Sequence, residues 1–249
     1  MRGVHSVVAR LAYEGGDLNR VDMIPYKLVP GEIAHYRHDV FLERAVVAAR
    51  VRLALGMDLA PGKPRSALSD QIQEAATDQK YFEEPLVNII PFACNACPPK
   101  QIRITDSCQG CISHPCMNVC PISKIERPCA AACGMDAIGS DELGRAKIDY
   151  DKCVSCGMCL VNCPFAAIAD KSQILQVITA MQRNEEVIAC VAPAFVGQFG
   201  KEATPAKLKA AMRRLGFADV VEVAIGADLC TVEEAKDFLE EVPEKQPFM

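Results

Sequence analysis

Cys153-Val154-Ser155-Cys156-Gly157-Met158-Cys159-Leu160-Val161-Asn162-Cys163-Pro164 decides the fold, because it packs four thiols into eleven residues. Three thiolates two residues apart can grip three irons of one 4Fe-4S cube, while the fourth, set before a proline, reaches a neighbouring cluster. Gly157 lets the backbone approach an inorganic core, and Pro164 stops the loop from folding back. A structural zinc site also uses cysteine pairs, but usually as two separated pairs, so the compact run favours iron and sulfide.

Outward from this run, the chain has 249 residues and 14 cysteines: none in 1–93, twelve in 94–163, then Cys190 and Cys230. A disulfide framework belongs to small secreted domains, whereas this chain is of medium length and its start shows no secretory signal. The thiols therefore read as metal ligands in a cytoplasmic protein. The run matches that of bacterial ferredoxins, which are pseudo-duplicates, so a partner motif is expected upstream. Two candidates interleave. One is Cys108-x2-Cys111-x4-Cys116-x3-Cys120-Pro121; the other ends in Cys129-x3-Cys133 and continues to Ile138, as Cys163 continues to Ile168. In either case one cluster takes Cys153, Cys156 and Cys159 with Cys120 or Cys133. A second takes Cys108 and Cys111 with one later cysteine and Cys163. Cys94-x2-Cys97 then joins the unused pair, in a third cubane or around zinc. Twelve thiolates divide into three cubanes without remainder. Seven basic and seven acidic residues between Cys94 and Cys163 leave that segment neutral, a fitting host for clusters of about −2 charge each. His114 reads as a residue beside the ligands or on the surface, and Cys190 and Cys230 as small buried hydrophobes.

The chain as a whole is of ordinary globular composition, 50% hydrophobic and 24% charged. A net charge of −5 argues against a nucleic-acid partner, and no apolar run is long enough to cross a membrane. Residues 1–85 read as a helical region whose clearest helix runs from Val40 to Leu55. Asp39 caps it, Gly56 ends it, and Val40, Phe41, Val47, Val51 and Leu55 form the buried stripe. Leu59–Pro64 is a connector. Residues 86–168 hold β-like pieces at Leu86–Ile90, Gln101–Thr105 and Ala146–Asp149 between the cysteine loops. Residues 169–249 alternate helix and strand: a helix after Asp170–Gln173, a strand at Val187–Val191, and a helix from Thr204-Pro205 to Gly216. A strand at Val220–Ile225 and a helix capped by Thr231 follow. Strand–helix–strand implies a parallel crossover, and two strands alone look like an unfinished sheet. The fold class is α+β: a helical N-terminal segment, a ferredoxin-like 4Fe-4S domain, then the beginning of an α/β (βαβα) catalytic-type domain.

Together these pieces resemble the N-terminal part of a monomeric di-iron hydrogenase with a ferredoxin-like lead. Ile24-Pro25-Tyr26-Lys27-Leu28-Val29-Pro30-Gly31 and Glu43-Arg44-Ala45 look like that group's opening, and the cysteines from 94 to 120 like its extra ligand motif. Val191-Ala192-Pro193-Ala194, Gln198-Phe199-Gly200, Leu215-Gly216-Phe217 and Gly226-Ala227-Asp228-Leu229 look like the start of its catalytic domain. The resemblance implies single-electron relay to or from a ferredoxin-type or other low-potential carrier in an anaerobic setting. A stand-alone polyferredoxin or electron-transfer subunit is the alternative. The family's Thr-Ser-Cys-Cys-Pro segment and its two later cysteine motifs do not occur here. No catalytic residue is therefore carried over, and the chain reads as a partial hydrogenase.

Overall fold

Asp39 starts the helix that organises the first part of the molecule. Its carboxylate accepts the Leu42 N–H at 2.7 Å in the computed structural model, which describes residues 2–59, 66–77, 84–97 and 128–241. Helix α3 (Val40–Ala54) follows α1 (Arg2–Glu14) and α2 (Ile24–Leu28). It closes in a Schellman motif: Gly56 N–H donates to Leu53 O at 3.0 Å and Met57 N–H to Arg52 O at 2.9 Å, with Gly56 at φ +79°. The expected stripe describes one of two buried faces. Val51, Ala54 and Leu55 pack with Val4, Val8 and Leu11 of α1, while Val46, Ala49 and Leu53 pack with Ile90, Ala93, Ala167 and Ala169. Phe41, expected inside, is 76% exposed because it lies between these faces. Arg52 is buried in α3 and holds the chain beyond it, donating to Asp58 O, Leu68 O and Asp70 O at 3.0 Å each. The next helix, α4 (Ile72–Ala75), buries Ile72 and Ala75.

Short elements then alternate: β1 (Val87–Ile89), α5 (Pro128–Ala131), β2 (Ile138–Ser140), β3 (Ala146–Ile148), α6 (Met158–Asn162) and β4 (Ile168–Asp170). β1 pairs antiparallel with β4, Asn88 facing Ala169, and β2 with β3, Gly139 facing Lys147. The strands expected near Leu86–Ile90 and Ala146–Asp149 are thus present in shorter form. The Leu59–Pro64 connector lies mostly, and the Gln101–Thr105 piece wholly, outside the described residues. Backbone contacts group residues 1–179 into one unit and 180–249 into a second.

Helix α7 (Ile174–Gln182) buries Leu175, Gln176 and Ile178, while Ile174, Val177 and Met181, expected inside together with Ile178, are half-buried. In the second unit β5 (Ile188–Val191) and β6 (Asp219–Glu222) pair in parallel through α8 (Pro205–Leu215). Thr204 caps α8, accepting the Lys207 N–H at 3.3 Å, and Gly216 ends it at φ +114°. Leu208 and Met212 are half-buried, but Leu215 is exposed. The expected second strand stops at Glu222, and α9 (Val223–Glu241) begins at once. Thr231, expected as a cap, lies inside this helix, where its hydroxyl donates to Ala227 O at 2.9 Å and no longer competes for the backbone. Cys190 and Cys230, expected buried, are exposed: Cys190 lies in a two-stranded sheet that leaves a strand face uncovered, and Cys230 lies within α9. The architecture is α+β, and no described helix is long and apolar enough to cross a membrane.

Candidate metal centre

The cysteine loops repeat with a step of thirty residues. Cys129 and Cys133 of the α5 segment correspond to Cys159 and Cys163 of the α6 segment, and Ile138 of β2 to Ile168 of β4. The backbone repeats too: Asp136 and Ala166 have φ +48° and +51° at matching positions. Upstream, Ala96 (φ +48°) precedes Cys97 as Ser155 (φ +54°) precedes Cys156. A positive φ is uncommon outside glycine and persists only where the surroundings demand it. Four such residues in matching loop positions mark Cys94-x2-Cys97 as the counterpart of Cys153-x2-Cys156.

Two small cavities result. Cys94, Cys97, Cys129 and Cys163 line the first. Cys133, Cys153, Cys156 and Cys159 line the second. Cys133 is therefore the residue that joins Cys153, Cys156 and Cys159, and Cys163 crosses to the other half. Among the described residues Cys163 shares its cavity with Cys94, Cys97 and Cys129. Cys108, Cys111, Cys116 and Cys120 lie outside the described residues.

The thiol cradles suit a polynuclear core. Backbone N–H groups of Ala137 and Ala146 donate to Cys133 Sγ and Cys94 Sγ at 3.3 Å each, the donors that stabilise cluster-bound sulfur. Apart from Asn95 in the first, the remaining lining is apolar, including Ile89, Phe165 and Ile168 in the first cavity and Val87, Ile138 and Ile148 in the second. Burial pushes the Cys159 thiol up, and Cys153 and Cys133 add to the rise, as crowded thiols do when no cation shares their charge. Burial likewise raises the Tyr150 phenol, with Cys153 and Cys159 adding to the rise. Among the described residues no three His, Cys, Asp or Glu side chains converge tightly enough for one metal ion.

Two arginines and a glutamate brace the first cavity, and sequence reasoning missed all three. Arg37 Nη2 donates to Phe165 O and, at 3.2 Å, to Ala93 O. Arg50 Nη2 donates to Ala166 O and, at 2.8 Å, to Ile168 O, while its buried Nε has no partner. Burial lowers the Arg50 pKa; Asp170 and then Cys163 oppose it, and Arg37 adds to the lowering. Glu43, 5% exposed, holds the loop that presents Arg37, one carboxylate oxygen accepting the N–H groups of His35, Tyr36 and Arg37. The available signal was spacing. Glu43 and Arg50 lie two helical turns apart, beside the apolar Val46, Ala49 and Leu53.

The repeated loops, sulfur-directed amides and paired cavities define an iron–sulfur electron-transfer domain. Comparison with known proteins places it more closely. Residues 123–174 match the LdpA Fe-S cluster-binding domain, and residues 185–249 match the C-terminal domain of the iron-only hydrogenase large subunit. The NADP-reducing hydrogenase subunit HndD of Solidesulfovibrio fructosivorans is 32% identical over 96 residues, 35% of this chain and 16% of that protein. Iron hydrogenase 1 of Clostridium pasteurianum is 33% identical over 94 residues, 34% of this chain and 16% of that protein. A ferredoxin of Methanocaldococcus jannaschii is 33% identical over 84 residues, 34% of this chain and 40% of that protein. These alignments therefore span well under half of each relative's own length. The chain is hydrogenase-like and carries an iron–sulfur domain related to hydrogenase subunits and ferredoxins, as its residues suggested.

Proposed function

We propose that this chain is the electron-relay portion of a hydrogenase-type oxidoreductase, with one 4Fe-4S cluster in each cysteine-lined cavity. Cys133, Cys153, Cys156 and Cys159 hold one; Cys94, Cys97, Cys129 and Cys163 hold the other. The observation that carries this reading is that eight thiols divide four and four between two equivalent cradles. A bound cluster supplies one-electron exchange at low potential, near roughly −400 mV for ferredoxin-type centres. The protein's own part is to fix the thiolates, to aim amides at their sulfurs, and to line the cavities with apolar side chains that limit water. Cys156 is exposed, and Met135, Val154 and Met158 around the second cavity are each about half exposed or more. This is a suitable face for a ferredoxin-type carrier. Electrons pass between that carrier and the centre that interconverts protons and hydrogen, in a reducing cytoplasm. Cys108, Cys111, Cys116 and Cys120 are four further thiols, enough for a third cluster.

The similarity to ferredoxins supports a second reading, a polyferredoxin or electron-transfer subunit in which residues 180–249 serve docking. Anaerobic preparation followed by iron, acid-labile sulfide and zinc counts, with electron paramagnetic resonance of the reduced chain, tests both. Eight or more irons with matching sulfide are expected. Zinc without sulfide would sink either reading. Hydrogen turnover restored by a partner bearing the catalytic cysteine motifs would favour the first over the second.

A further inference from the structure

The two cavities differ in the charge around them. Arg37 and Arg50 reach the first from α3 and the loop before it, and their described hydrogen bonds all go to backbone carbonyls: Ala93, Phe165, Ala166 and Ile168. Those carbonyls lie one residue before Cys94 and two to five residues after Cys163. Two basic residues on the β2–β3–α6 side are matched by carboxylates: Arg145 pairs with Asp141 at 2.7 Å and Lys152 with Asp149 at 3.3 Å. No charged side chain lines either cavity, so the two arginines act from behind the backbone of the first. A cluster with four thiolates goes from about −2 to −3 when it gains one electron, so neighbouring cations favour its reduced form.

We infer that Arg37 and Arg50 hold the cluster of Cys94, Cys97, Cys129 and Cys163 at a higher reduction potential than its neighbour, making it the electron-accepting side of the pair. The inference rests on the cluster assignment proposed above. With both clusters bound, an electron given by the carrier to the site of Cys133, Cys153, Cys156 and Cys159 would pass to the arginine-flanked site with no proton or bond exchanged. Asp170, which faces Arg50 from β4, offsets part of the positive charge, and Arg37 reinforces it.

Redox titration followed by electron paramagnetic resonance, on the full chain and on Arg37→Gln, Arg50→Gln and Arg50→Lys, tests this. Cys97→Ser identifies the signal belonging to the first cavity. Each Gln variant is expected to lower that signal's reduced-to-oxidised ratio at fixed potential on the order of tenfold, about 59 mV for a one-electron couple. Arg50→Lys should restore most of the shift, and the Cys159-dependent signal should stay in place. Full iron and sulfide with unmoved potentials overturns the inference and leaves the cluster assignment standing. Absence of iron and sulfide from the parent chain overturns the assignment itself. Loss of the first cluster in both Gln variants makes the arginines clamps and overturns the inference.

Discussion

Ser155 carries φ +54° in the loop between Cys153 and Cys156, a conformation in which a β-branched side chain crowds its own backbone. Ser155→Val is expected to cost about 1–2 kcal/mol and to reduce iron per chain after gel filtration, whereas Ser155→Gly retains it. Glu43 offers a second residue-level prediction, this time in pH. Burial alone would raise its carboxyl, but the N–H groups of Tyr36, Arg37 and His35 outweigh that and hold it below the ordinary glutamate range. A depressed carboxylate adds stability that is full above the unfolded value and fades as pH falls through the lower folded one. Glu43→Gln should therefore lower stability by about 1–3 kcal/mol at neutral pH. Its thermal midpoint should converge on that of the parent once the medium is acid enough to protonate the parent's Glu43.

At the scale of elements, the turn from α3 toward α7 turns on Gly56. A Cβ there would stand 2.8 Å from Gln176 Nε2 and 3.0 Å from Ser172 O, at a φ of +79°. Gln176 Nε2 in turn donates to Leu55 O at 2.9 Å and Ala75 O at 2.8 Å. Gly56→Ala strains the backbone and displaces this amide, so a loss of about 2 kcal/mol or more is expected in denaturant unfolding. Legibility followed the range of the forces involved. Asp39, Gly56, Thr204 and Gly216 act on their own neighbours, and their caps were readable. Phe41 and the second buried face of α3 depend on residues more than a hundred positions away, such as Ala167 and Ala169, and no local periodicity encodes them. Thr231 shows the converse: its local capping signal was overruled by a helix already running from Val223. Within the metal centre the eight thiols were legible from spacing. Which of them share a cavity depends on the through-space return of Cys163 to Cys94, and the supporting arginines are visible only in three dimensions.

For the molecule as a whole, each cavity draws three cysteines from one half of the repeat and the fourth from the other. Cys129 and Cys159 are also members of a buried cluster with Val87, Ile148 and Ile168. Cys159→Ser is therefore expected to lower iron by about four per chain and to loosen unit 1–179 without altering the helical content of 180–249. Separate unfolding transitions by circular dichroism, with an iron assay, check this; unchanged iron removes Cys159 from the ligand set. The exchange of one thiol between the halves has a further consequence. Neither half excised alone keeps a complete four-thiol set, so the two loops are tied together and a change of length in one must be answered in the other.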